Sequence, residues 1–376
     1  MSIAIRNFEE TDLDAVRSLM EGQAGPSLAK SAYLQPDHIR SAMLADNIFA
    51  LVAEENQKPN GTTSIFMEQE SPQTVVGLLC RLCITDTPSR PEMATTLVHT
   101  ALESLKGNLQ VCFAEIPSKL LWAQAACEQA GFITSGYLPA KFNLEDRWGA
   151  VVYMYLTEEA RNARRPHPEI ISGARDLANE VLKAHGIIED AETRDDVVAY
   201  PTEGNLTIAP IDSTAVSTMV EGLSQPATKI FRFLQGTQTL YHLPATEISY
   251  LAAREDGRVI GVIGYAVDPI DRRIQLVEMI TLDGEPEGLM VAHLLEQFSG
   301  NDALDYWEVL VSAHAPRMQK TFDQLGFVPC AYLPAFGMEH GMRSDAIKMV
   351  KLNAGYETDH SELTSSTKKM IMPLTI

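Results

Sequence analysis

The chain has 376 residues, of which 45% are hydrophobic and 21% are charged, and its formal net charge is −20. This apolar fraction is ample for buried cores and excludes a wholly disordered chain, and the length indicates two domains. The acidic balance argues against a protein that wraps nucleic acid or docks on anionic membranes, because both need clustered Lys and Arg. It leaves room for a phosphate-bearing ligand in one local pocket.

The first 157 residues alternate between apolar strand-like runs and segments with helical periodicity. Strands are predicted at 3–7, 48–54, 62–69, 74–84, 109–115, 132–140 and 149–156. Helices are predicted at 11–22, 91–105 and 118–129, with a loop and helix region over 25–46. Mixed strands and helices in this order predict an α/β layer fold with one central sheet.

A polar and acidic connector over 158–204 follows, with one amphipathic helix between Pro168 and Gly186. Beyond it, strands are predicted at 205–210, 247–254, 258–267, 272–282, 304–312, 327–334 and 345–352. Helices are predicted at 213–223, 287–298 and 315–325, with a long irregular segment over 224–246. Residues 353–376 have the composition of a tail.

The chain repeats itself. Residues 131–140 read GFITSGYLPA and residues 326–335 read GFVPCAYLPA, an offset of 195 residues. A period of this length indicates a duplicated domain, because solenoid repeats are about 20–50 residues long. We therefore predict a first domain at 1–157, a linker at 158–204, a second domain at 205–352 and a tail at 353–376.

The N-terminal sequence, the apolar stretches and the cysteines predict the cellular compartment. The N-terminus shows no basic start followed by an apolar core, and no stretch of about 18 apolar residues is present, so we expect a cytoplasmic protein without a membrane span. Five cysteines are too few for a disulfide scaffold. Cys80 and Cys83 form a CxxC pair inside an apolar strand, which favours ordinary buried thiols. The histidines show no metal-ligand spacing, so we expect no metal.

The element order, and the helix that ends in CEQAGF in the first half and FDQLGF in the second, resemble the GCN5-related N-acetyltransferase (GNAT) superfamily, once per half. The resemblance implies two tandem acyl-CoA N-acyltransferase-like domains, each a mixed central sheet flanked by helices. It also implies that a loop and helix N-terminus after the fourth strand hold the donor pyrophosphate, since free N–H groups and the helix dipole favour anions. The pantetheine chain would lie where the sheet splays.

The family's phosphate loop reads Arg or Gln, two residues, Gly, one residue, then Gly or Ala, and both copies depart from it. In the first copy the candidate donor-binding residues are Ser89, Arg90, Ala94, Thr95 and Thr96. In the second they are Gly288 and Ala292, and Glu287 stands where the cation belongs. Because three carboxylates near a pyrophosphate would repel it, phosphate binding favours the first half.

The family's catalytic base is a glutamate in the fourth strand, and Glu278 stands there in the second half. The matching place in the first half is about Arg81, and an arginine stays protonated and cannot serve as a base. The base therefore favours the second half. The alternative for Glu278 is a solvated carboxylate at the edge of the sheet.

The family's tyrosine acid is absent from its usual position, which holds Cys127 in one half and Phe322 in the other. Candidates to replace it are Tyr137 and Tyr332 of the repeated YLPA motif, and His314 at a strand end. The alternative for the tyrosines is a packed ring with its hydroxyl on a backbone partner. The alternative for His314 is a surface residue.

These features predict an acyltransferase that moves an acyl group from a thioester donor to an amine of a small molecule. The donor is acyl-CoA, such as acetyl-CoA, or the phosphopantetheine of an acyl carrier protein, which would need no pyrophosphate cradle. Because both phosphate loops depart from the family's pattern, two alternatives remain open. One is a degenerate, non-catalytic binding or scaffold protein, and the other is a related fold that performs thioester hydrolysis or decarboxylation.

Overall fold

The computed structural model describes residues 3–24, 35–71, 74–143, 147–220, 229–231, 247–301, 303–339, 341–353 and 362–371. The described chain forms two compact units. Unit 1 contains the described residues up to Asn162 together with 362–371, and unit 2 contains those from Ala163 to 353. Most of the segment predicted as a separate linker, 158–204, thus packs within unit 2.

Unit 1 is a mixed sheet with helices. Its strands are β1 (Ile3–Asn7), β2 (Ile48–Glu55), β3 (Lys58–Ser71), β4 (Thr74–Ile84), β5 (Val111–Pro117), β6 (Ile133–Phe142) and β7 (Trp148–Leu156). A 3₁₀ turn at Glu10–Asp12 precedes the helices α1 (Leu13–Ala24), α2 (Pro36–Met43), α3 (Arg90–Ser104), α4 (Leu121–Gln129) and α5 (Glu158–Asn162), and α10 (Ser365–Ile371) joins them. The strand order is β1-β2-β3-β4-β5-β7-β6, and only β4 and β5 pair in parallel.

Unit 2 has the same strand order. Its main strands are β10 (Thr207–Ile211), β11 (Ile248–Glu255), β12 (Arg258–Asp268), β13 (Arg273–Thr281), β14 (Tyr306–Ser312), β15 (Val328–Glu339) and β16 (Met342–Leu352), in the order β10-β11-β12-β13-β14-β16-β15. A short parallel pair, β8 (Glu169–Ile170) and β9 (Glu192–Thr193), stands apart. The helices are α6 (Ser172–Ala184), α7 (Ser213–Val220), α8 (Glu287–Gln297) and α9 (Pro316–Gln324). The predicted mixed α/β class is confirmed.

In each unit the two parallel strands diverge after a short paired stretch. The β4–β5 pairing ends at Leu79 and Ala114, although both strands continue. The β13–β14 pairing ends at Leu276 and Val309 in the same way. A bulge lies just beyond the last paired residue of β4, at Arg81 with a φ of 55°, and bulges bend a strand away from its partner. The result is a wedge at the carboxyl ends of the parallel pair.

The repeated YLPA motif marks a second bulge. Ala140 and Ala335 have φ values of 50° and 55°, in the left-handed region that few alanines adopt. Each alanine carbonyl accepts a hydrogen bond from an arginine Nη1 of the next strand, at 3.0 Å from Arg147 and 3.1 Å from Arg343. The motif recurs because both strands use the same backbone turn at this point.

The largest core of unit 1 packs α3 and α4 against the sheet. Cys80, Cys83, Cys112, Cys127 and Cys330 are all buried and free, as predicted for ordinary thiols. Residues 362–371 belong to unit 1, where the Thr367 hydroxyl is 2.9 Å from that of Tyr153. Among the described helices none is long and apolar enough to cross a membrane.

Candidate active site

The helix that follows the wedge begins at equivalent residues in the two units. α3 begins at Arg90 after its cap Ser89, and α8 begins at Glu287 after its cap Pro286. Three residues into each helix a methionine side chain lies against a glycine of the preceding hairpin. The same helix end therefore presents a cation in unit 1 and a carboxylate in unit 2.

A cavity of about 350 Å³ lies beyond the end of β4 in unit 1. It is bounded by α1, the end of β4, the first residue of α3 and the start of α4. Its lining includes Gln23, Ile84, Asp86, Arg90, Leu120 and Trp122. The cavity thus adjoins a helix N-terminus, where backbone N–H groups and the helix dipole favour negative charge.

Arg90 is held in place at the edge of this cavity. Its Nη2 lies 3.0 Å from an Asp86 carboxylate oxygen, and its guanidinium carbon is 5.4 Å from the centre of the Trp122 ring. Its Nε donates to the carbonyl of Thr85 at 3.3 Å. A guanidinium with five donors in a planar fork keeps capacity for an oxyanion such as phosphate.

The other candidates of the first loop do not line the cavity. The Ser89 hydroxyl contacts a carboxylate of β2 and a threonine of its own loop. Thr95 and Thr96 donate to carbonyls four residues back in α3, at 3.0 and 2.7 Å, as hydroxyls inside helices commonly do. Ala94 is buried in the core. Of the five candidates, Arg90 alone lines the cavity, and a donor-binding role for Ser89, Ala94, Thr95 and Thr96 stays a prediction without support from this geometry.

The equivalent helix end in unit 2 is covered by the chain. A Cβ on Gly288 would lie 2.3 Å from the carbonyl oxygen of Pro201 and 2.7 Å from that of Tyr200. Ala292 lies a full turn further along α8 and is half-buried. Connector backbone thus lies directly against Gly288, and the expectation that Gly288 and Ala292 cradle a phosphate stays a prediction without support from this geometry.

Glu287 is itself sequestered, with only 1% of its surface exposed. Its Oε1 accepts a hydrogen bond from the Thr281 hydroxyl at 2.8 Å and forms an ion pair with the ammonium of Lys229. Its Oε2 is buried without a hydrogen-bond partner among the described residues. A buried carboxylate at a helix N-terminus takes the position that an anionic ligand would use.

Two equivalent residues beside the bulges of β4 and β13, Arg81 and Glu278, also differ in charge. Glu278 is partly exposed and accepts a hydrogen bond from the Tyr250 hydroxyl at 2.9 Å. Its counterpart Arg81 is buried and donates to the Ser64 hydroxyl at 2.9 Å, and burial lowers the pKa of its guanidinium. Glu278 has the chemistry of a proton acceptor, whereas a guanidinium has no acceptor atom.

The two repeated tyrosines are buried structural rings. Tyr332 donates its hydroxyl to Asp345, which also accepts from Arg164 Nε at 2.7 Å. Burial, and then the Asp345 carboxylate, raise the pKa of Tyr332 well above its ordinary value. Tyr137 is 2% exposed and packs over Gly149, where a Cβ would lie 2.1 Å from its hydroxyl oxygen. Tyr137 does not line the cavity, so the geometry does not support either ring as the catalytic acid.

His314 lies between β14 and α9, where its amide donates to the Ser312 hydroxyl at 3.1 Å. Its Nε2 is buried and has no hydrogen-bond partner among the described residues. Burial, followed by the charges of Arg165 and Arg164, lowers the pKa of His314 to about 4. The imidazole is therefore neutral near pH 7. The structure does not bring it into polar contact with Glu278 within the described part of unit 2.

Sequence reasoning missed Tyr200, Lys229, Arg164 and Asp345. The first two lie in a connector and in an irregular segment, where no periodicity indicates position. Asp345 stands at the start of a strongly apolar strand, and that unusual position was a usable signal of a buried ion pair. Among the described residues, no group of three or more His, Cys, Asp or Glu side chains could hold a metal ion.

No protein-family model and no curated protein matches the chain. Solved structures do match, and the following are acetyltransferases. An N-acetyltransferase from Staphylococcus aureus Mu50 is 12% identical with a TM-score of 0.34, over 42% of this chain and 98% of its own. A GNAT-family acetyltransferase from Streptococcus pneumoniae is 20% identical with a TM-score of 0.36, over 41% and 99%. The spermidine/spermine N-acetyltransferase SpeG from Vibrio cholerae is 18% identical with a TM-score of 0.34, over 43% and 96%.

Proposed function

We propose that the protein is a GNAT-type acyltransferase built from two tandem copies of one domain. It moves an acyl group from acyl-CoA to an amine of a small molecule, and unit 1 binds the donor. The observation that carries the proposal is the cavity beyond the end of β4 in unit 1, which is lined by Arg90, the first residue of α3. A donor with a phosphate end and an extended thioester arm matches a cationic helix end beside a gap in a sheet.

The reaction is direct transfer. The amine nitrogen attacks the thioester carbonyl, a C–N bond forms, the C–S bond breaks, the amine loses a proton and the thiolate gains one. Arg81 occupies the bulge of unit 1 and supplies no base. The proton of the acceptor therefore passes to solvent, and we expect the rate to rise with pH until the amine is deprotonated.

The acceptor is a cationic small-molecule amine. A chain with a net charge of −20 attracts small cations and raises their local concentration, an effect that added salt weakens. Polyamines and aminoglycosides carry several such amines, and they form the first panel to test. The chain offers no comparable attraction for a nucleic acid.

A second candidate is a binding protein without turnover. It is favoured by one observation, the separation of the two functional charges: unit 1 holds the cation Arg90, and unit 2 holds the carboxylate Glu278. Neither unit combines a donor cation with a base at its bulge. Such a protein would hold the thioester without transferring the acyl group.

Thermal unfolding with acetyl-CoA, longer acyl-CoAs and pantetheine tests donor binding. A ligand at 100 times its Kd stabilises the folded state by about 2.7 kcal/mol, which gives a measurable shift in Tm. Thiol release with the amine panel then tests turnover. Stabilisation with turnover supports the acyltransferase, stabilisation without turnover favours the binding protein, and a Tm unchanged by every thioester contradicts both. Stabilisation by pantetheine as strong as that by acetyl-CoA would favour a carrier-borne donor.

A further inference from the structure

The wedge of unit 2 contains a short piece of the protein's own chain, residues 229–231. Ile230 forms an antiparallel bridge with Val311 of β14. The Phe231 amide donates to the carbonyl of Leu310 at 2.8 Å, and the Ser312 amide donates to the carbonyl of Lys229 at 3.0 Å. This segment therefore pairs with the part of β14 from which β13 has diverged.

The side chain of Phe231 anchors the segment. It is 4% exposed, and its ring fills the space beside Gly337, where a Cβ would come within 2.3 Å of a ring carbon. The ring also makes an edge contact with Phe336, with 6.1 Å between centroids. Burial of an aromatic ring removes a large apolar surface from water, which favours a seated segment over a loose one.

A second piece of the chain, Tyr200 and Pro201, covers the N-terminus of α8. The Tyr200 amide donates to the Thr321 hydroxyl of α9 at 2.9 Å. Its ring lies near two cations, 4.1 Å from the guanidinium carbon of Arg317 and 5.1 Å from the ammonium of Lys229. Attraction of both cations to the ring fixes it against α8 and α9.

Charge pairing joins these two pieces. Lys229 contacts the Tyr200 ring and also forms the ion pair with the buried Glu287. Arg317 holds Glu285 through two hydrogen bonds of 2.7 and 3.0 Å. The Lys229 ammonium, which an anionic ligand could otherwise use, is thus already paired with a buried carboxylate.

We propose that the donor cleft of unit 2 is occupied by the chain itself and excludes acyl-CoA. Segment 229–231 takes the strand position in the wedge, and Tyr200, Pro201 and Glu287 take the place of the phosphates at the helix end. Each chain therefore binds a single donor, in unit 1. The identity of the excluded ligand rests on the proposed function, whereas the closure itself does not.

Hydrogen exchange on the full chain, followed by mass spectrometry, tests the closure without any ligand. We expect the Phe231 amide of segment 229–231 and the Ser312 amide of β14 to exchange slowly, since each donates to a backbone carbonyl of the other piece. Saturating acetyl-CoA is expected to slow exchange at residues 85–93 of unit 1 and to leave residues 281–292 of unit 2 unchanged. Exchange of 229–231 at the unprotected rate, or donor protection at 281–292, would overturn the closure.

The variant Lys229→Ala separates the closure from general stability. It removes a partner of a buried carboxylate, so we expect exchange at 229–231 to rise about tenfold or more while the core of unit 1 is unchanged. The matched control is Lys183→Ala, whose ammonium is 79% exposed in an ion pair on α6. Equal exchange of residues 229–231 in the two variants would contradict the proposal that the Lys229 ion pair holds this segment in place.

Equilibrium dialysis with acetyl-CoA supplies the stoichiometry. One equivalent per chain supports the proposal, and two equivalents overturn it. If no donor binds, the proposed function fails, but the exchange rates of 229–231 in the free protein still decide whether the cleft of unit 2 is closed.

Discussion

Units 1 and 2 share a strand order and a wedge, yet they carry opposite charges at two equivalent positions. The first residue of the helix after the wedge is Arg90 in unit 1 and Glu287 in unit 2. The residue two places beyond the last parallel pair is Arg81, in the bulge of β4 in unit 1, and Glu278, next to the bulge at Val277 of β13 in unit 2. The two units thus keep the same backbone order while these few side chains reverse the charge at equivalent positions, and we propose that this reversal sets which ligand charge each unit accepts.

A third equivalent pair shows the same divergence within the core. The strand registers place Gly149 and Asp345 one residue before a matched alanine. Gly149 leaves room for the Tyr137 ring, whereas Asp345 binds the Tyr332 hydroxyl and the Arg164 guanidinium. One unit fills this position by packing and the other by a buried ion pair.

The largest effect is expected from Asp345→Asn. The substitution keeps the shape of the side chain but removes the more buried of the two carboxylates, Asp345 and Glu189, that pair with Arg164, whose side chain is 4% exposed. Breaking one partner of a buried pair costs about 3–5 kcal/mol, so the free energy of unfolding in urea should fall by that amount. Asp176→Asn, at a carboxylate that is 76% exposed, is the control and should change little. A loss in Asp345→Asn no greater than in the control would show that the pair adds nothing to unit 2.

Arg90→Glu gives unit 1 the charge that unit 2 carries. We expect acetyl-CoA binding to weaken by about tenfold to a hundredfold, because a charge-assisted contact becomes a repulsion. Arg40→Glu is the control, since Arg40 lies on α2 and its side chain is 47% exposed. Isothermal titration calorimetry measures both. Unchanged affinity in Arg90→Glu would remove Arg90 from the donor site.

The repeat made much of the fold predictable. Its offset, with the strand-and-helix order, predicted the mixed sheet and the equivalence of Arg81 with Glu278. The carboxylate at the start of α8, Glu287, was predictable for the same reason. Comparison of the two halves places Glu287 at the helix start that Arg90 occupies in the first half. These features depend on local periodicity and on comparison of one half with the other.

The contents of the wedge in unit 2 could not be predicted. Tyr200 lies in an acidic connector and Lys229 in an irregular segment, and neither has a periodic pattern that fixes its place. Their positions follow from tertiary contacts with Arg317 and Glu287. The recurrence of Tyr137 and Tyr332 suggested a catalytic role for them. The recurrence of YLPA is instead explained by the bulge at Ala140 and Ala335, which both strands share.

Gly149→Ala tests the packing of the Tyr137 ring against Gly149, the residue of unit 1 that corresponds to Asp345. An added Cβ would meet the Tyr137 hydroxyl at 2.1 Å and a backbone carbonyl oxygen at 3.0 Å, so the ring must move. Overpacking of this kind costs about 1–3 kcal/mol in the free energy of unfolding. Gly173→Ala is the matched control, because no other atom lies within 4 Å of the position that its Cβ would take, and it should leave stability unchanged or slightly raised. Equal stability of the two variants would mean that Tyr137 has space to shift.

The smallest effect concerns pH, at the position where His314 in unit 2 corresponds to Lys119 in unit 1. The Lys119 ammonium lies 5.2 Å from the centre of the Trp148 ring, whereas the imidazole of His314 has a buried nitrogen without a hydrogen-bond partner among the described residues. The pKa of His314 is lowered to about 4 in the folded chain, and the unfolded value is about 6.5. Above pH 6.5 the imidazole is neutral in both the folded and the unfolded state and does not lower the free energy of unfolding. As the pH falls from about 6.5 to about 4, the unfolded chain binds a proton that the folded chain does not bind. The free energy of unfolding therefore falls through that window.

Urea unfolding at pH 7 and at pH 5 measures this contribution. The loss of unfolding free energy on acidification should be smaller in His314→Gln than in the parent, since glutamine does not titrate. His99→Gln, at an exposed histidine of α3 in unit 1, is the control and should retain the full loss. The same acid loss in all three proteins would mean that His314 titrates as an exposed imidazole does. That result would remove the buried, neutral histidine from the features that distinguish unit 2 from unit 1.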